Sequence, residues 1–418
     1  MLIRMRFVLP EFFHVVTADH LIQLLGRFDR LSVERASIDA ALHRILYKDI
    51  LATEDLPEQA RSTVDGYAVH AEDTFGASDS IPALLSCIDS VKMGVIPDFA
   101  IQSGQAAQIP TGGFLPRGAD AVVMIEYSNA AGVDGIEITR PVTARTNVLE
   151  RGEDAKTGES LLSAGKFLRP QEIGFLAALG ITEVDAYRQP RVAVISTGDE
   201  VVPIDRKPKP GQIRDANGHS LSALVRSFGA MPILFPIIPD NAEMLYQALE
   251  KGLAQADIAV LSGGSSVGTR DLMVEVASRL PEVEIMAHGV AIRPGKPTLL
   301  ANQKGKAIFG LPGHPVSALV VAQAFLAPFL RYIQGGKLEK GPLGRRKKAE
   351  LGASIHSTIG LEEFVRVRIE SAAEMDIAYP VFGKSGMLST MVKAEGMILI
   401  PMNVEGYSKG EIVDVIEQ

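Results

Sequence analysis

The chain has 418 residues, 46% apolar and 22% charged, which is more than one compact core holds and matches soluble globular usage. Two to four domains are therefore expected, and a disordered or fibrous chain is excluded. Forty-two basic against 50 acidic residues give a formal net charge of −8 and leave no general positive field for nucleic acid, while the single cysteine, Cys87, excludes an internal disulfide or a zinc–cysteine site and fits a reducing cytoplasm.

Arg4 and Arg6 precede a short apolar stretch that Pro10 and Glu11 interrupt, so no signal peptide is expected. Helical spacing of Leu21, Leu24, Leu25 and Phe28, then of Ala41, Leu42, Ile45 and Leu46, predicts two helices within 17–46. Between 61 and 138, apolar runs at 107–109, 121–125 and 136–138, punctuated by TGG, PRG and VDG, predict a small β-rich module. Residues 171–180 read as an apolar helix. After Pro190, apolar strands at 191–195, 232–238, 257–261 and 307–311 alternate with helices at 221–228, 242–253 and from Val316 onward. That alternation predicts a mostly parallel sheet covered on both faces. The segment 318–330, interrupted by Gln323 and Pro328, is too short for a membrane span and reads as a buried helix. GGKLEKGPLGRRKK at 335–348 reads as a solvated linker, and strand patterns at 364–369, 397–400 and 412–416 predict a last small β domain.

Ligands of parallel sheets bind beyond the carboxyl ends of the strands, so the loop after each apolar strand is the place for chemistry. Ser196, Thr197 and Gly198 followed by Asp199 and Glu200 make a small hydroxyl-bearing turn ending in two acids, either a plain turn or a Mg²⁺ site. Ser262, Gly263, Gly264, Ser265, Ser266, Val267 and Gly268 join a strand to a helix. Converging backbone N–H groups at a helix start suit a phosphate, with a tight packing turn as the alternative. The loop is neither GxGxxG nor a Walker A loop. It does match G-x-S-x-G at Gly264, Ser266 and Gly268, with Asp271, His288 and His314 downstream, which opens a serine hydrolase reading using Ser266. Three residues between Leu261 and Ser265 place the serine too far from the strand for a nucleophile elbow. The LPGHP turn (311–315) and RPGKP (293–297) are stiffened by prolines, and Arg293 and Lys296 beside a rigid turn suit a tetrahedral oxyanion. Asp65 and Thr111 sit in two further turns, where acids and hydroxyls also serve backbone needs.

Taken in order, VDGYAV (64–69), PTGG (110–113), PRGADAVV (116–123), RGED (151–154), STGDE (196–200), SGGSSVG (262–268), RPGKP (293–297), LPGHPVSA (311–318) and AEGMILIP (394–401) closely resemble the molybdopterin molybdenumtransferase, or MoeA, family, related to the E domain of gephyrin. The resemblance runs from about Ala18 to the C-terminus. It implies a multidomain α/β plus β fold: an elongated discontinuous domain (1–60 and 142–188), an inserted β-rich domain (61–141), a central three-layer α/β molybdopterin-binding domain (189–334) and a small C-terminal β-barrel-like domain (345–418). It implies a cytoplasmic Mg²⁺-dependent transferase that inserts molybdenum from molybdate into adenylated molybdopterin and releases AMP. A non-catalytic molybdopterin-binding scaffold is the alternative within the same family.

Also by resemblance, the protein is a homodimer whose inserted domain faces the α/β domain of the other subunit, and its protein partners are the molybdopterin adenylyltransferase and acceptor molybdoenzymes. No nucleic acid or membrane partner is implied. Asp65, Thr111, Asp154, Glu200, Asp240, Asp271, Pro312 and Pro315 correspond to catalytic-site residues. Glu200 and Asp271 correspond to the cation site, and Arg293, Lys296, Arg366 and Ser385 to the molybdate site. Arg293 stands where the family often has Lys, and Leu361 where a basic residue is common. Molybdate and tungstate share charge and shape, so contacts alone separate them little.

Overall fold

The computed structural model describes residues 15–263 and 267–417, without the side chains of 267–271. It forms two compact units. One comprises Lys48–Ala164 and Gly174–Thr182; the other comprises the described residues up to Tyr47, Gly165–Ile173 and those from Glu183 on.

The smaller unit is built on a six-stranded sheet in the order Ala121–Met124, Gly66–Val69, Gln105–Ile109, Ala83–Ser90, Gly135–Ile138, Ser128–Ala131. Its pairings are antiparallel except for Ala83–Ser90 beside Gln105–Ile109. Successive side chains of a strand point to opposite faces, and here both faces are apolar. Val69 and Val123 enter one core, Ala68 and Val122 the other. The expected β-rich module is therefore present.

In the larger unit a second six-stranded sheet runs Met231–Leu234, Arg191–Thr197, Ile258–Gly263, Lys306–Pro312, Leu299–Gln303, Val283–His288. The first four strands pair in parallel; Leu299–Gln303 runs antiparallel to them, and Val283–His288 antiparallel to Leu299–Gln303 in turn. Val192, Val194, Val260 and Phe309 enter one core with the helices Ala18–Leu25, Ala216–Ser227 and Pro315–Val321, while Ala193, Ile195, Ala259 and Ile308 enter the other with Ala242–Gln255 and Val267–Ser278. Two covered faces explain why these strands read as continuous apolar runs. Arg191–Thr197 has the next strand of this sheet along the chain, Met231–Leu234, on one side and Ile258–Gly263 on the other, so the strand order reverses between them.

The helical run Pro315–Ile333 is long and apolar enough to cross a membrane by length and composition, yet Val316, Val320, Phe325 and Phe329 lie in the core. It contains a π turn, Ala322–Leu326, in which the Ala327 N–H donates to Ala322 O. The turn ends two residues before Pro328, which has no N–H to give.

Near the C-terminus, Arg346–Leu351, Glu362–Glu370, Ile377–Pro380, Gly396–Ile400 and Ile412–Glu417 close into a small barrel, because Glu362–Glu370 pairs with both Ile377–Pro380 and Gly396–Ile400. Closure leaves no free sheet edge among these strands. The two-residue strand Ile292–Arg293 joins it in parallel, Arg293 opposite Glu363.

Two sequence expectations are corrected. Of the two helices expected in 17–46 only Ala18–Leu25 forms; next come the strand Val33–Ser37 and the 3₁₀ turn Ile38–Ala40. Val33–Ser37 pairs with Glu183–Tyr187, a partner far along the chain, and this pairing overrides the local spacing. Ala41, Ile45 and Leu46 are buried as expected, but Leu42 is 40% exposed. The basic run of the linker is also shorter than read, since Arg346, Lys347 and Lys348 already belong to a barrel strand.

Candidate active site

The parallel register sets Ser196 beside Ser262, Thr197 beside Gly263, and Gly263 beside Pro312. Three of the sequence motifs thus begin side by side at the carboxyl ends of the strands, where the strand order reverses and ligands commonly bind. They border a cleft of about 440 Å³ whose lining includes Ser196, Thr197, Glu200, Gly263, His314 and Pro315. That volume is in the range of small-molecule pockets. Pro312 ends its strand and Pro315 opens the next helix, where its missing N–H is harmless.

Two residues lining this cleft were not singled out from sequence. Asp215 caps the helix Ala216–Ser227, accepting from the Gly218 N–H at 2.8 Å and from Ser196 Oγ at 2.9 Å. Asn217 donates from Nδ2 to Ser262 Oγ at 2.7 Å and to Gly313 O at 2.9 Å, so one amide ties the glycine loop to the proline turn. Its Oδ1 is buried without a partner. An Asp just before a helical segment is an available helix-start signal, but nothing local reports what Asn217 bridges.

Acids gather beside the first loop. Thr197 Oγ1 donates to Asp240 Oδ1 at 2.9 Å, and the Asp240 N–H donates to Asp199 Oδ1 at 3.2 Å. The exposed Glu200 lies over Gly198, where a Cβ would stand 2.9 Å from Glu200 Oε2. Partial burial pushes the Asp240 carboxyl above the usual carboxylate range, and the charges of Asp199 and Glu200 push the same way. Among the described residues no three His, Cys, Asp or Glu side chains form a ready metal cage. Gly268 and Asp271 lie on the helix Val267–Ser278, the Asp271 side chain outside the described set; Gly264, Ser265 and Ser266 lie outside the described residues.

A second cleft, of about 510 Å³, brings together Arg293, Lys296, Arg366 and Ser385. The parallel pairing of Ile292–Arg293 with the barrel strand Glu362–Glu370 is what unites them. Arg293 Nη1 lies 3.6 Å from Glu363 Oε2, and Lys296 is exposed while its carbonyl accepts from the Val290 and Thr298 N–H groups. Arg366 is only 8% exposed; Nη2 donates to Gly383 O at 3.4 Å, while Nε and Nη1 are buried without partners. Burial holds this guanidinium below its usual pKa. A buried unpaired cation is costly, and an anion bound here would relieve it. Ser385 Oγ is 3.0 Å from His314 Nδ1.

In the smaller unit, one oxygen of Asp65 accepts from the Thr111 N–H at 2.6 Å and from Thr111 Oγ1 at 2.9 Å. These donors, the backbone one foremost, hold the Asp65 carboxyl below its usual range. Asp154 belongs to another turn, its side chain exposed and its N–H donated to Leu56 O. That turn is anchored by Asp55, which binds Thr157 N and Oγ1 and Arg151 Nε and whose pKa is thereby lowered to about 2.

Three family models match the chain in succession: "MoeA N-terminal region (domain I and II)" over residues 15–180, "Probable molybdopterin binding domain" over 193–332, and "MoeA C-terminal region (domain IV)" over 348–417. The molybdopterin molybdenumtransferase of Staphylococcus epidermidis is 32% identical over 91% of this chain and 90% of its own length. That of a Nostoc species is 33% identical over 96% and 92%. The crystal structure of a molybdopterin biosynthesis MoeA protein from Pyrococcus horikoshii superposes with a TM-score of 0.78 at 31% identity, covering 97% of this chain and all of that one.

Proposed function

Since the chain belongs to the MoeA family, we propose that it is a transferase of molybdenum cofactor biosynthesis that inserts molybdenum from molybdate into adenylated molybdopterin and releases AMP. The observation that carries this reading is the pairing of two clefts in one unit: a small-molecule cleft where the strand order reverses, and beside the barrel a cleft holding Arg293, Lys296 and the unpaired guanidinium of Arg366. The first suits the adenylated pterin, with Ser196, Thr197 and Gly198, and Gly263 through Gly268, around its phosphates. The second suits a tetrahedral dianion.

The residues fit a divalent cation. Asp199, Glu200 and Asp240 gather at one loop, where the charges of Asp199 and Glu200 add to the burial that raises the Asp240 pKa, and Mg²⁺ is usually held by one or two carboxylates with phosphate and water rather than by a finished protein cage. Glu200 and Asp271 would hold it beside Asp240, and when bound it supplies charge that shields the phosphates as molybdate approaches. Asp65, Thr111 and Asp154 serve the same reaction from the smaller unit, within a homodimer in which one subunit completes the site of the other. Pro312 and Pro315 keep the turn between the two clefts rigid. The single cysteine supports a cytoplasmic setting, in which an adenylyltransferase supplies the substrate and molybdoenzymes take the product.

The test is direct. Purified protein given Mg²⁺, molybdate and adenylated molybdopterin should release AMP and yield a cofactor that activates an apo-molybdoenzyme. Pterin binding with no AMP release would make it a scaffold instead. A wild-type preference for tungstate would change the named product to a tungsten cofactor.

A further inference from the structure

We infer that His314 is a positioning residue for the oxyanion cleft, holding Ser385 so that the serine hydroxyl is left to donate into it. This rests on the reading that the cleft takes molybdate. The segment 383–388 borders both clefts: Gly383 and Ser385 line the oxyanion side, Gly386 and Leu388 the side where the strand order reverses. Two contacts to the start of the helix Pro315–Val321 fix that segment. The Val316 N–H, one of the first-turn donors that no helical carbonyl can satisfy, donates to Ser385 O at 3.1 Å. His314 Nδ1 and Ser385 Oγ then meet at 3.0 Å.

His314 occupies the N-cap position, yet its side chain makes no capping bond. Cap residues ordinarily accept from their own helix, and here the carbonyl of Ser385 takes over part of that role while the ring turns to the serine. Pro312 and Pro315 flank His314 closely and restrict the backbone that carries the ring.

A serine hydroxyl has one proton and two lone pairs. When Nδ1 is bare, Ser385 spends its proton on the ring. When Nδ1 carries hydrogen, the ring donates to a lone pair and the serine proton is free for an oxygen of the anion. The second arrangement is the one that an oxyanion beside Arg366 selects, because only then do both side chains donate to it. His314 itself never touches the anion.

The experiment compares wild type with His314→Ala, His314→Asn, Ser385→Ala and the His314→Ala/Ser385→Ala pair, titrating molybdate and adenylated molybdopterin against AMP release and titrating molybdate alone by calorimetry. His314→Ala should raise the molybdate KM and Kd roughly three- to tenfold, the range of one hydrogen bond, with smaller changes in kcat and in the pterin KM. The double variant should be no worse than Ser385→Ala, since the histidine acts through the serine. His314→Asn, whose amide N–H lies near the position of Nδ1–H, should recover most of the loss and answers for any misfolding of the alanine variant. An unchanged molybdate Kd in His314→Ala, additive penalties in the double variant, or no recovery by Asn would overturn the inference. Wild type that binds molybdate but releases no AMP would defeat the transferase reading alone, the calorimetric comparison still deciding the role of His314. Wild type that binds no molybdate would defeat both.

Discussion

Gly263 and Thr197 face each other on adjacent parallel strands so closely that a Cβ on Gly263 would stand 2.3 Å from Thr197 Cγ2 and 2.4 Å from Thr197 O. Only a residue without a side chain allows the glycine loop and the hydroxyl turn to start from the same level of the sheet. Gly263→Ala must spread the two strands, and overpacking of this kind costs about 1–3 kcal/mol. Its urea midpoint should fall, and AMP release should fall with it because both loops move. An unshifted midpoint would mean that the strands separate freely and that the close approach has no structural role.

At Asp240 the proposed function and stability should pull apart. Burial, aided by Asp199 and Glu200, raises its pKa in the folded state. The folded protein therefore holds this proton more tightly than the unfolded chain, and stability declines as pH rises from the unfolded value through the raised one. Asp240→Asn removes that decline and keeps an acceptor for Thr197. The variant should melt higher than wild type at pH 7 and at the same temperature once the pH is low enough to protonate Asp240, while the proposed Mg²⁺-dependent AMP release should be weaker. A melting point below wild type at pH 7 would show that the carboxylate is held by partners other than those seen.

Arg366 makes a related prediction with opposite chemistry. Its buried Nε and Nη1 have no partner, so Arg366→Met should leave the thermal midpoint unchanged or higher. The molybdate requirement should rise about tenfold or more, the factor that follows from losing a charge-assisted hydrogen bond of roughly 1.5–3 kcal/mol. Steady-state titration of molybdate against AMP release decides this; an unaltered requirement would move the anion elsewhere.

The proposed homodimer, in which one subunit completes the site of the other, should show complementation. Asp65→Asn and Asp271→Asn, each inactive alone, should regain about a quarter of wild-type activity when mixed equally and allowed to exchange, because half of the dimers are mixed and each of those has one undamaged site of two. No recovery in a mixture shown by mass spectrometry to have exchanged would place each site within one chain.

What could be read without coordinates was what local pattern carries. The strands at 191–195, 257–261 and 307–311 were legible because burial on both faces makes every residue apolar, and the motifs after them were legible because loops at the ends of such strands have little reason to be glycine- and proline-rich other than close approach. The Asp65–Thr111 pair was half legible: both turns stood out, but the 2.6 and 2.9 Å bonds joining them follow from the antiparallel pairing of Gly66–Val69 with Gln105–Ile109.

The sequence by itself determined the family, the parallel sheet and the positions of the loops, since each of these is recorded within a few consecutive residues. The tertiary structure alone decided which loops share a cleft. Arg293 meets Arg366 only because a two-residue strand adds to the barrel, Asn217 ties Ser262 to Gly313 only because three strands end side by side, and residues 33–37 form a strand only because 183–187 lie next to them. The physical reason is the same in each case: hydrogen-bond partners distant in the chain are chosen by packing, and packing leaves no local period to read.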